Sequence, residues 1–360
     1  MKTQGLEFPV IAPVPQEIYR PLWSVMIPTY NCTNYLKTTL LSLLAQAPSL
    51  ELMQIEVIDN CSTEGDPEAL LKEIDGGRVS FYRQPRNIGL VGNFNTCIER
   101  SVGQLVHILH CDDLVLPGFY KTLQQAFKQE PTIGAAFCRS VYIDKDGAQI
   151  GLSSFSRATP GIFLNLLELV SQSHLIESPA LVVKRDVYER LGGFHPDLFH
   201  AGDTEIYMRI ASQYPVWYEP TSLASYRKHT HSFTSTLIKS AANAKNVRRA
   251  VEISQSYLPK KITSNLKEFE AINAFRSVCW QLVKLDFNAA SEQMKETWKL
   301  SHSFRAISKM IIFLAAFLAE GGVNRLQRAV LKVTNHLRMA SSERKHKSLM
   351  PLEGKLKKKG

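Results

Sequence analysis

Apolar positions along the chain follow two rhythms, short solid runs and longer stretches with Leu at helical spacing. Trp23 to Pro28 (WSVMIP), Gln54 to Asp59 (QIEVID) and Val79 to Arg83 read as buried strands. Tyr35 to Ala45 (YLKTTLLSLLA), capped by Asn34 or Thr33, and Glu68 to Ile74 read as the helices between them. Asn87 to Asn93 reads as a loop whose two glycines let backbone approach a ligand, followed by a helix over Asn95 to Ser101. Leu105 to Tyr120 (LVHILHCDDLVLPGFY) opens as a buried strand ending at Asp112 and continues into a Leu-Val-Leu-Pro-Gly turn. Strands alternating with helices predict an α/β fold, an open, mostly parallel sheet with right-handed crossovers.

Further along, Gly134 to Tyr142 reads as a strand, Asp144 to Gly147 as a hairpin turn, and Phe163 to Val170 as a helix. Ile176 to Val183 leads into Lys184 to Leu191, then Gly192-Gly193-Phe194 and a helix opened by Asp203. Leu237 to Leu300 is mostly helical by pattern, with Trp280, Leu282, Leu285 and Trp298 as packing anchors.

Composition narrows the class. With 360 residues, 44% hydrophobic and 21% charged, the chain is globular and long enough for a large domain plus an extension. The net charge is +10, and residues 338–360 alone hold eight Lys/Arg against two Glu. No aromatic-interleaved basic patch accompanies that charge, so nucleic acid is not an expected partner. Cys32, Cys61, Cys97, Cys111, Cys138 and Cys279 are scattered without a C-x-x-C pair, which argues against structural zinc or disulfides and for small buried residues in a reducing compartment. Pro and Glu interrupt the first twenty residues where a signal peptide needs an apolar run. The longest apolar run, Met310 to Ala319, is about half of the ~20 residues a membrane span needs. A cytoplasmic protein is expected.

The chemistry gathers at strand ends. Asp112 and Asp113 would be costly to bury there unless they met a cation or hydrogen-bond donors, and ligands of open α/β sheets bind beyond the carboxyl ends of the strands. The sequence lacks both G-x-x-x-x-G-K-[ST] and G-x-G-x-x-G, so a metal held by this pair is expected to meet nucleotide phosphates. Oxygen ligands suit Mg²⁺ or Mn²⁺.

The segments SVMIPTYN, EVIDNCSTEGDP, NIGLVGNFN, HILHCDDLVLPGFY, LGGF and GDTEIYMRIA occur in one order over roughly Ser24 to Thr236. In that order they resemble the family 2 glycosyltransferases with the GT-A fold. The resemblance implies a nucleotide-binding half and an acceptor half, an inverting, metal-dependent transfer from a nucleoside-diphosphate sugar, and a glycan or lipid-linked acceptor in surface polysaccharide biosynthesis. UDP is the expected nucleotide, with dTDP or GDP as alternatives. Pro28, Thr29 and Tyr30 match the turn lining the base, and Asp59 the acid that accepts from the ring, with Asn60 where a second acid is common. Asn87 and Gly89 match the segment near base and ribose, flanked by Arg86 and Asn93. His110-Cys111-Asp112-Asp113 stands at the D-x-D place, with His110 for its first acid. Asp112 and Asp113 are then expected to divide ribose and metal contact, and His229 of Tyr226-Arg227-Lys228-His229 to help hold diphosphate or metal. Asp203 matches the catalytic base, with Gly202 for the acid that usually precedes it. Glu205 is the alternative base, expected to point elsewhere.

The implied organisation is a lead over 1–22, a GT-A domain over 23–236, a helical extension over 237–337 and a basic tail over 338–360. Residues 304–333 alternate apolar runs with Arg and Lys, readable either as a helical cap packed on the domain or as a surface lying at the inner face of a membrane. A packed cap is the commoner explanation. Two other readings compete, a sugar nucleotidyltransferase, which would need a Gly-rich basic signature after the first strand, and a non-catalytic nucleotide or glycan binder.

Overall fold

A computed structural model describes residues 8–322, apart from residue 75, residues 230–236 and residues 238 and 239. Among the described residues, ten strands form one sheet. These are β1 (Trp23–Thr29), β2 (Met53–Asp59), β3 (Ser80–Arg83), β4 (Leu105–Ile108), β5 (Leu114–Val115), β6 (Ala135–Ile143), β7 (Gln149–Leu152), β8 (Gly161–Ile162), β9 (Leu181–Lys184) and β10 (Val216–Arg227). Their order is β3-β2-β1-β4-β9-β6-β10-β5, with β7 beside β6 and β8 beside β10. The long ladders, β1 with β2 and β6 with β10, run parallel. Short antiparallel pairs place β9 between β4 and β6 and so join the two halves.

Both faces of the sheet are covered, which is why its central strands are apolar at nearly every position. Val25 and Ile27 of β1 pack with Leu36, Leu40 and Leu43 of α1 (Thr33–Leu44) and with Leu123 of α4 (Phe119–Gln129). Met26 faces the other way, toward Phe94 and Ile98 of α3 (Gly89–Arg100) and Ile206 of α7 (Gly202–Gln213). Each such side chain contributes about 1.5–3 kcal/mol by burial. Shorter helices α2 (Pro67–Ile74), α5 (Leu166–Val170) and α6 (Arg185–Leu191) complete the layers.

Beyond β10 the chain is helical, with α8 (Ala242–Ser254), α9 (Lys260–Val283), α10 (Phe287–Leu300) and α11 (Phe304–Phe317). Val251, Leu266, Ala274 and Met310 of this extension join the core cluster of α3 and α7, and the face of 304–317 that carries Ala306 and Met310 packs on α9 of the extension. The opposite face leaves Phe304, Ile311 and Ile312 exposed. No helix among the described residues is long and apolar enough to cross a membrane. Residues 323–333 and the basic tail lie outside the described residues.

Several local expectations are corrected. Helix α1 begins at Thr33, and neither Thr33 nor Asn34 caps it; Cys32 holds the N-cap position without a side-chain hydrogen bond. The expected loop over 87–93 is helical from Gly89, because that glycine adopts φ +81° and turns the chain directly into α3. Strand β4 stops at Ile108, four residues before Asp112, and the following Leu114–Val115 pairs as β5 rather than lying in a turn. The helix expected from Phe163 begins at Leu166. Trp280, Leu282 and Trp298 are exposed, Trp298 by 60%, so small residues such as Ala271, Ala274 and Ala289 make the contacts expected of them. Cys97, Cys138 and Cys279 are buried as expected, but Cys32, Cys61 and Cys111 are half-buried; all six are free thiols.

Candidate active site

The acid pair sits where β4 ends and the chain folds back. Asp113 N donates to His110 O at 3.2 Å, and Leu116 N donates to Leu223 O at 2.7 Å, closing a tight reversal against β10. Helix α1 supports it from below, where Thr39 Oγ1 donates to Cys111 O at 2.9 Å and Gln46 Nε2 to Leu116 O at 3.0 Å. Arg227, the last residue of β10, locks the turn. Its backbone N–H donates to Asp113 Oδ1 at 2.8 Å and its Nε to Asp112 O at 2.8 Å. Its Nη1 donates to Asp144 O at 3.0 Å in the β6–β7 hairpin, and the guanidinium lies over the Tyr35 ring. One arginine therefore ties the acids, α1 and that hairpin together.

The electrostatics of the pair are unbalanced. Asp113 is 1% exposed, and its Oδ2 has no hydrogen-bond partner among the described residues. Burial pushes its carboxyl well above the usual carboxylate range, with the neighbouring Asp112 charge adding to the effect. Leaving a buried charged oxygen unpaired costs at least about 1–3 kcal/mol, so this atom is where a cation would be most stabilising. His110 Nδ1 lies 3.9 Å from it. One ligand atom each from His110, Asp112 and Asp113 lie within 4.8 Å of one another. Two carboxylates and an imidazole suit a divalent metal such as Mn²⁺ or Mg²⁺. His229 Nε2 is 3.0 Å from Asp112 Oδ2, so it stands next to the cluster through Asp112. His110 was legible only as a lost acid; in three dimensions it replaces that acid with a nitrogen donor.

The other strand ends line the same edge. Thr29 and Asp59 are register partners at the ends of β1 and β2. Pro28 and Thr29 are buried, and Tyr30 turns out to solvent. Asp59 is fully buried; its Oδ2 accepts from Arg83 Nε at 2.7 Å and its Oδ1 from Ser62 Oγ at 2.5 Å. Asn60, which stands where a second acid is common, has a positive task. Its Oδ1 accepts from Ile88 N at 2.9 Å, and its Nδ2 donates to Asn87 Oδ1 at 3.1 Å and Gly89 O at 3.2 Å. A carboxylate could accept from Ile88 but could not make the other two bonds. Asn93 Nδ2 donates to Ile58 O at 2.9 Å, a structural tie to β2.

Asp203 lies in the first turn of α7, two residues past its N-cap Ala201, and does not cap it. Its Oδ2 accepts from Ser178 Oγ at 2.6 Å, and Ser178 Oγ in turn accepts from Tyr207 OH at 3.4 Å. Ser178 is fixed from behind: Pro179 O accepts from His107 Nε2 at 3.0 Å. His107 is fully buried, and burial lowers its pKa to about 3, so the ring is neutral. Helix α7 is held by Arg209, which pairs with Glu205 at 2.9 Å and donates to the carbonyls of Leu191, Gly192 and Gly193. Asn95 completes the clamp, its Nδ2 donating to Phe194 O and its Oδ1 accepting from Phe194 N. The Gly-Gly-Phe segment thus anchors the helix that carries Asp203, and a Cβ on Gly193 would collide with Asn95. Glu205 is fully buried in its pair with Arg209 and points away from solvent, as expected.

Asp203 opens onto a cavity of about 560 Å³ whose wall includes Glu177, Ser178, Tyr226 and Lys228. Tyr226 stands between the two acid groups. Burial raises its phenol, and the charges of Asp113, Glu177, Asp112 and Asp203 all add to that rise. Ser178, Tyr207 and Arg227 were missed as site residues. Tyr207 was discoverable, four residues after Asp203 on the same helix face. Ser178 and Arg227 reach their partners across 25 and 114 residues and leave no local signal.

Known proteins match this arrangement. Residues 24–192 match the family model described as Glycosyl transferase family 2. An uncharacterized protein of Mycobacterium tuberculosis is 29% identical over 230 residues, which cover 61% of this chain and 70% of that one. TuaG of Bacillus subtilis, a putative teichuronic acid biosynthesis glycosyltransferase, is 34% identical over 98 residues, 26% of this chain and 37% of its own length. Among solved structures, Staphylococcus aureus TarS 1–349 in complex with UDP-GlcNAc superposes with a TM-score of 0.56 at 16% identity, over 79% of this chain and 91% of that one. The mannosyltransferase PcManGT from Pyrobaculum calidifontis, in complex with GDP-Man and Mn²⁺, gives a TM-score of 0.54 at 18% identity, over 93% and 91%. At these identities the two structures speak to the fold, and the sequence match speaks to the family. Residues 24–192 thus match glycosyltransferase family 2, and the fold is that of the GT-A structures.

Proposed function

We propose that the protein is an inverting, metal-dependent glycosyltransferase that moves a sugar from a nucleoside diphosphate, UDP first among the candidates, to a hydroxyl of a glycan or lipid-linked acceptor. The observation that carries this reading is the unpartnered Asp113 Oδ2 beside Asp112, with Asp203 across Tyr226 at the mouth of a cavity. Asp112, Asp113 and His110 would hold a divalent cation, with His229 beside Asp112. When bound, the cation supplies positive charge to the diphosphate as it leaves. Pro28, Thr29, Tyr30, Asp59, Asn87 and Gly89 would line the nucleotide, and the Asp112 carboxylate would reach ribose or metal.

The transfer needs one base. An acceptor hydroxyl attacks C1 of the donor sugar; its O–H bond breaks and the proton passes to an Asp203 oxygen. The C1–O bond to the β-phosphate breaks, and its electron pair leaves on the diphosphate. A single displacement inverts C1. Ser178 and Tyr207 keep the Asp203 carboxylate oriented through their hydroxyl chain. Binding of UDP-GlcNAc by TarS, and of GDP-Man with Mn²⁺ by PcManGT, supports a nucleotide-sugar donor and a metal on this fold.

Surface polysaccharide synthesis is the proposed setting, supported by the name of TuaG. Contact with the inner face of a membrane is proposed through the exposed Phe304, Ile311 and Ile312 and the basic residues that follow in sequence. The test is nucleoside diphosphate release from UDP-, dTDP- and GDP-sugars, with Mn²⁺, Mg²⁺ or EDTA, using a total glycan extract as acceptor. One donor should give release that requires both metal and acceptor; turnover unaffected by EDTA would overturn the metal assignment.

A further inference from the structure

The cavity that Asp203 faces is lined on one side by the helical extension, and that wall sets polar groups among Ala244, Val247, Ala274 and Leu300. Glu270, Asn273 and Ser277 of α9 line it. Glu270 is 5% exposed, an unusual burial for a carboxylate without a cation. Among the described residues, the hydrogen bond to its carboxylate comes from Asn273 Nδ2 at 3.4 Å, long for an acid that burial pushes up in pKa. Asn273 Nδ2 also lies 3.3 Å from His174 Nε2, on the opposite wall. Asn273 Oδ1 accepts from Arg276 Nη1 at 3.3 Å, so the Glu270 carboxylate is the acceptor in this wall with capacity to spare. At about 560 Å³ the space falls within the ~300–1,000 Å³ of small-molecule sites.

Charge narrows what could fill it. Three carboxylates line the cavity, Glu177, Asp203 and Glu270, against one lysine, Lys228. Glu177 accepts from Tyr142 OH at 2.6 Å, and Lys228 Nζ lies over that same Tyr142 ring, so the lysine sits at the Glu177 corner. Burial lowers the pKa of His200, keeping that imidazole from adding positive charge. An acceptor carrying its own carboxylate or phosphate would meet like charge from Asp203 and Glu177 and the buried Glu270 carboxyl, with His174 as the group facing Glu270. A ligand rich in hydroxyl donors, with or without an ammonium, would not.

We propose that this cavity is the acceptor subsite for a neutral or amino sugar unit, with Glu270 and Asn273 of the helical extension binding its hydroxyls and setting its selectivity. The proposal rests on the glycosyl-transfer reading only for which hydroxyl reacts, at Asp203; the sugar site stands on the cavity alone. The extension is then part of the substrate site, a role for residues far outside the matched segment 24–192.

The test uses the full chain and the methyl β-glycosides of glucose, N-acetylglucosamine, glucosamine and glucuronate. Binding is followed by saturation-transfer NMR with UDP and Mn²⁺ present, and transfer is measured with the active donor. At least one neutral or amino glycoside should bind or react ~10-fold better than the glucuronide. Glu270→Gln should weaken that glycoside ~3–10-fold and shrink the preference, while donor affinity stays as in wild type. Asn273→Asp, which adds a charge, should widen the preference and serves if Glu270→Gln does not fold. Binding of neutral sugars with no donor turnover would support the subsite while sinking the glycosyl-transfer reading. The proposal is overturned if no glycoside binds, if the glucuronide does as well as the others, or if both variants treat all four sugars as wild type does.

Discussion

The acid turn after β4 and the cavity beside Asp203 are built on different plans, although Tyr226 touches both. In the acid turn every restraint is short and comes from the sheet or the helix beneath it: Arg227 at the end of β10, Thr39 on α1 and Gln46 just past its end. The positions of the acids there are fixed before any ligand arrives, as preorganised electrostatic stabilisation requires. The cavity is assembled from the turn at Ser178–Ala180, α7, strand ends and α9, and its Asp203 carboxylate is oriented by a chain of two hydroxyls. Its walls can change without disturbing the sheet. On the proposed reading this is a division of labour: the transfer chemistry would sit on strand ends, and selectivity on surfaces brought in from elsewhere.

That contrast can be broken by substitutions on either side. Asp113→Asn should have the largest effect on the rigid side, lowering kcat/KM by ~10³ or more through lost cation and diphosphate binding. Because it removes a buried carboxyl that is costly to ionise, the same change should raise the thermal midpoint of the metal-free protein at alkaline pH. A variant that loses both activity and stability would mean that Asp113 is a structural acid. Arg227→Ala should come next, costing about 2–3 kcal/mol of stability by calorimetry from its lost hydrogen bonds and at least ~10-fold in kcat/KM. An unchanged kcat/KM would show that the turn holds its shape without the latch.

The smallest effect should be a pH effect behind Ser178. The folded His107 has a pKa of about 3, against about 6.5 for a free imidazole. Between those values the unfolded chain binds a proton that the folded chain does not. Stability is therefore complete above about pH 6.5 and falls as pH drops toward 3, by up to a few kcal/mol. Urea midpoints for His107→Gln should show a flatter slope in that window; identical slopes would assign the acid sensitivity to other groups.

The same division explains what could be read from the sequence. Strands β1, β2 and β3 appear within a residue or two of their expected bounds, because solid apolar runs and helical Leu spacing are local signals. The two-residue β5 and β8 exist only through pairing with β10, and no pattern that short separates strand from turn. Gly89 was taken for loop freedom, whereas its positive φ serves to start a helix. The acids at 112, 113 and 203 were legible through their motifs, yet their partners were not. His110 gains meaning only beside Asp113 Oδ2, and Asn60 only when the 87–89 turn folds onto it. Trp280 and Trp298 mislead in the opposite direction, since large aromatic residues are expected to pack and the extension packs through alanines and aliphatics such as Leu266, Val278 and Leu300.

The most direct test of the proposed mechanism is to measure donor affinity and turnover together for wild type and Asp203→Asn. The donor is the nucleotide-sugar found active in the release assay, titrated by calorimetry with Mn²⁺. The variant should bind donor as wild type does, because the acid turn is untouched, and should lose ~10²–10⁴-fold in kcat because the acceptor proton has no base. Near-normal turnover would contradict the assignment of Asp203 as base, and lost donor affinity would contradict the separation of the two sites.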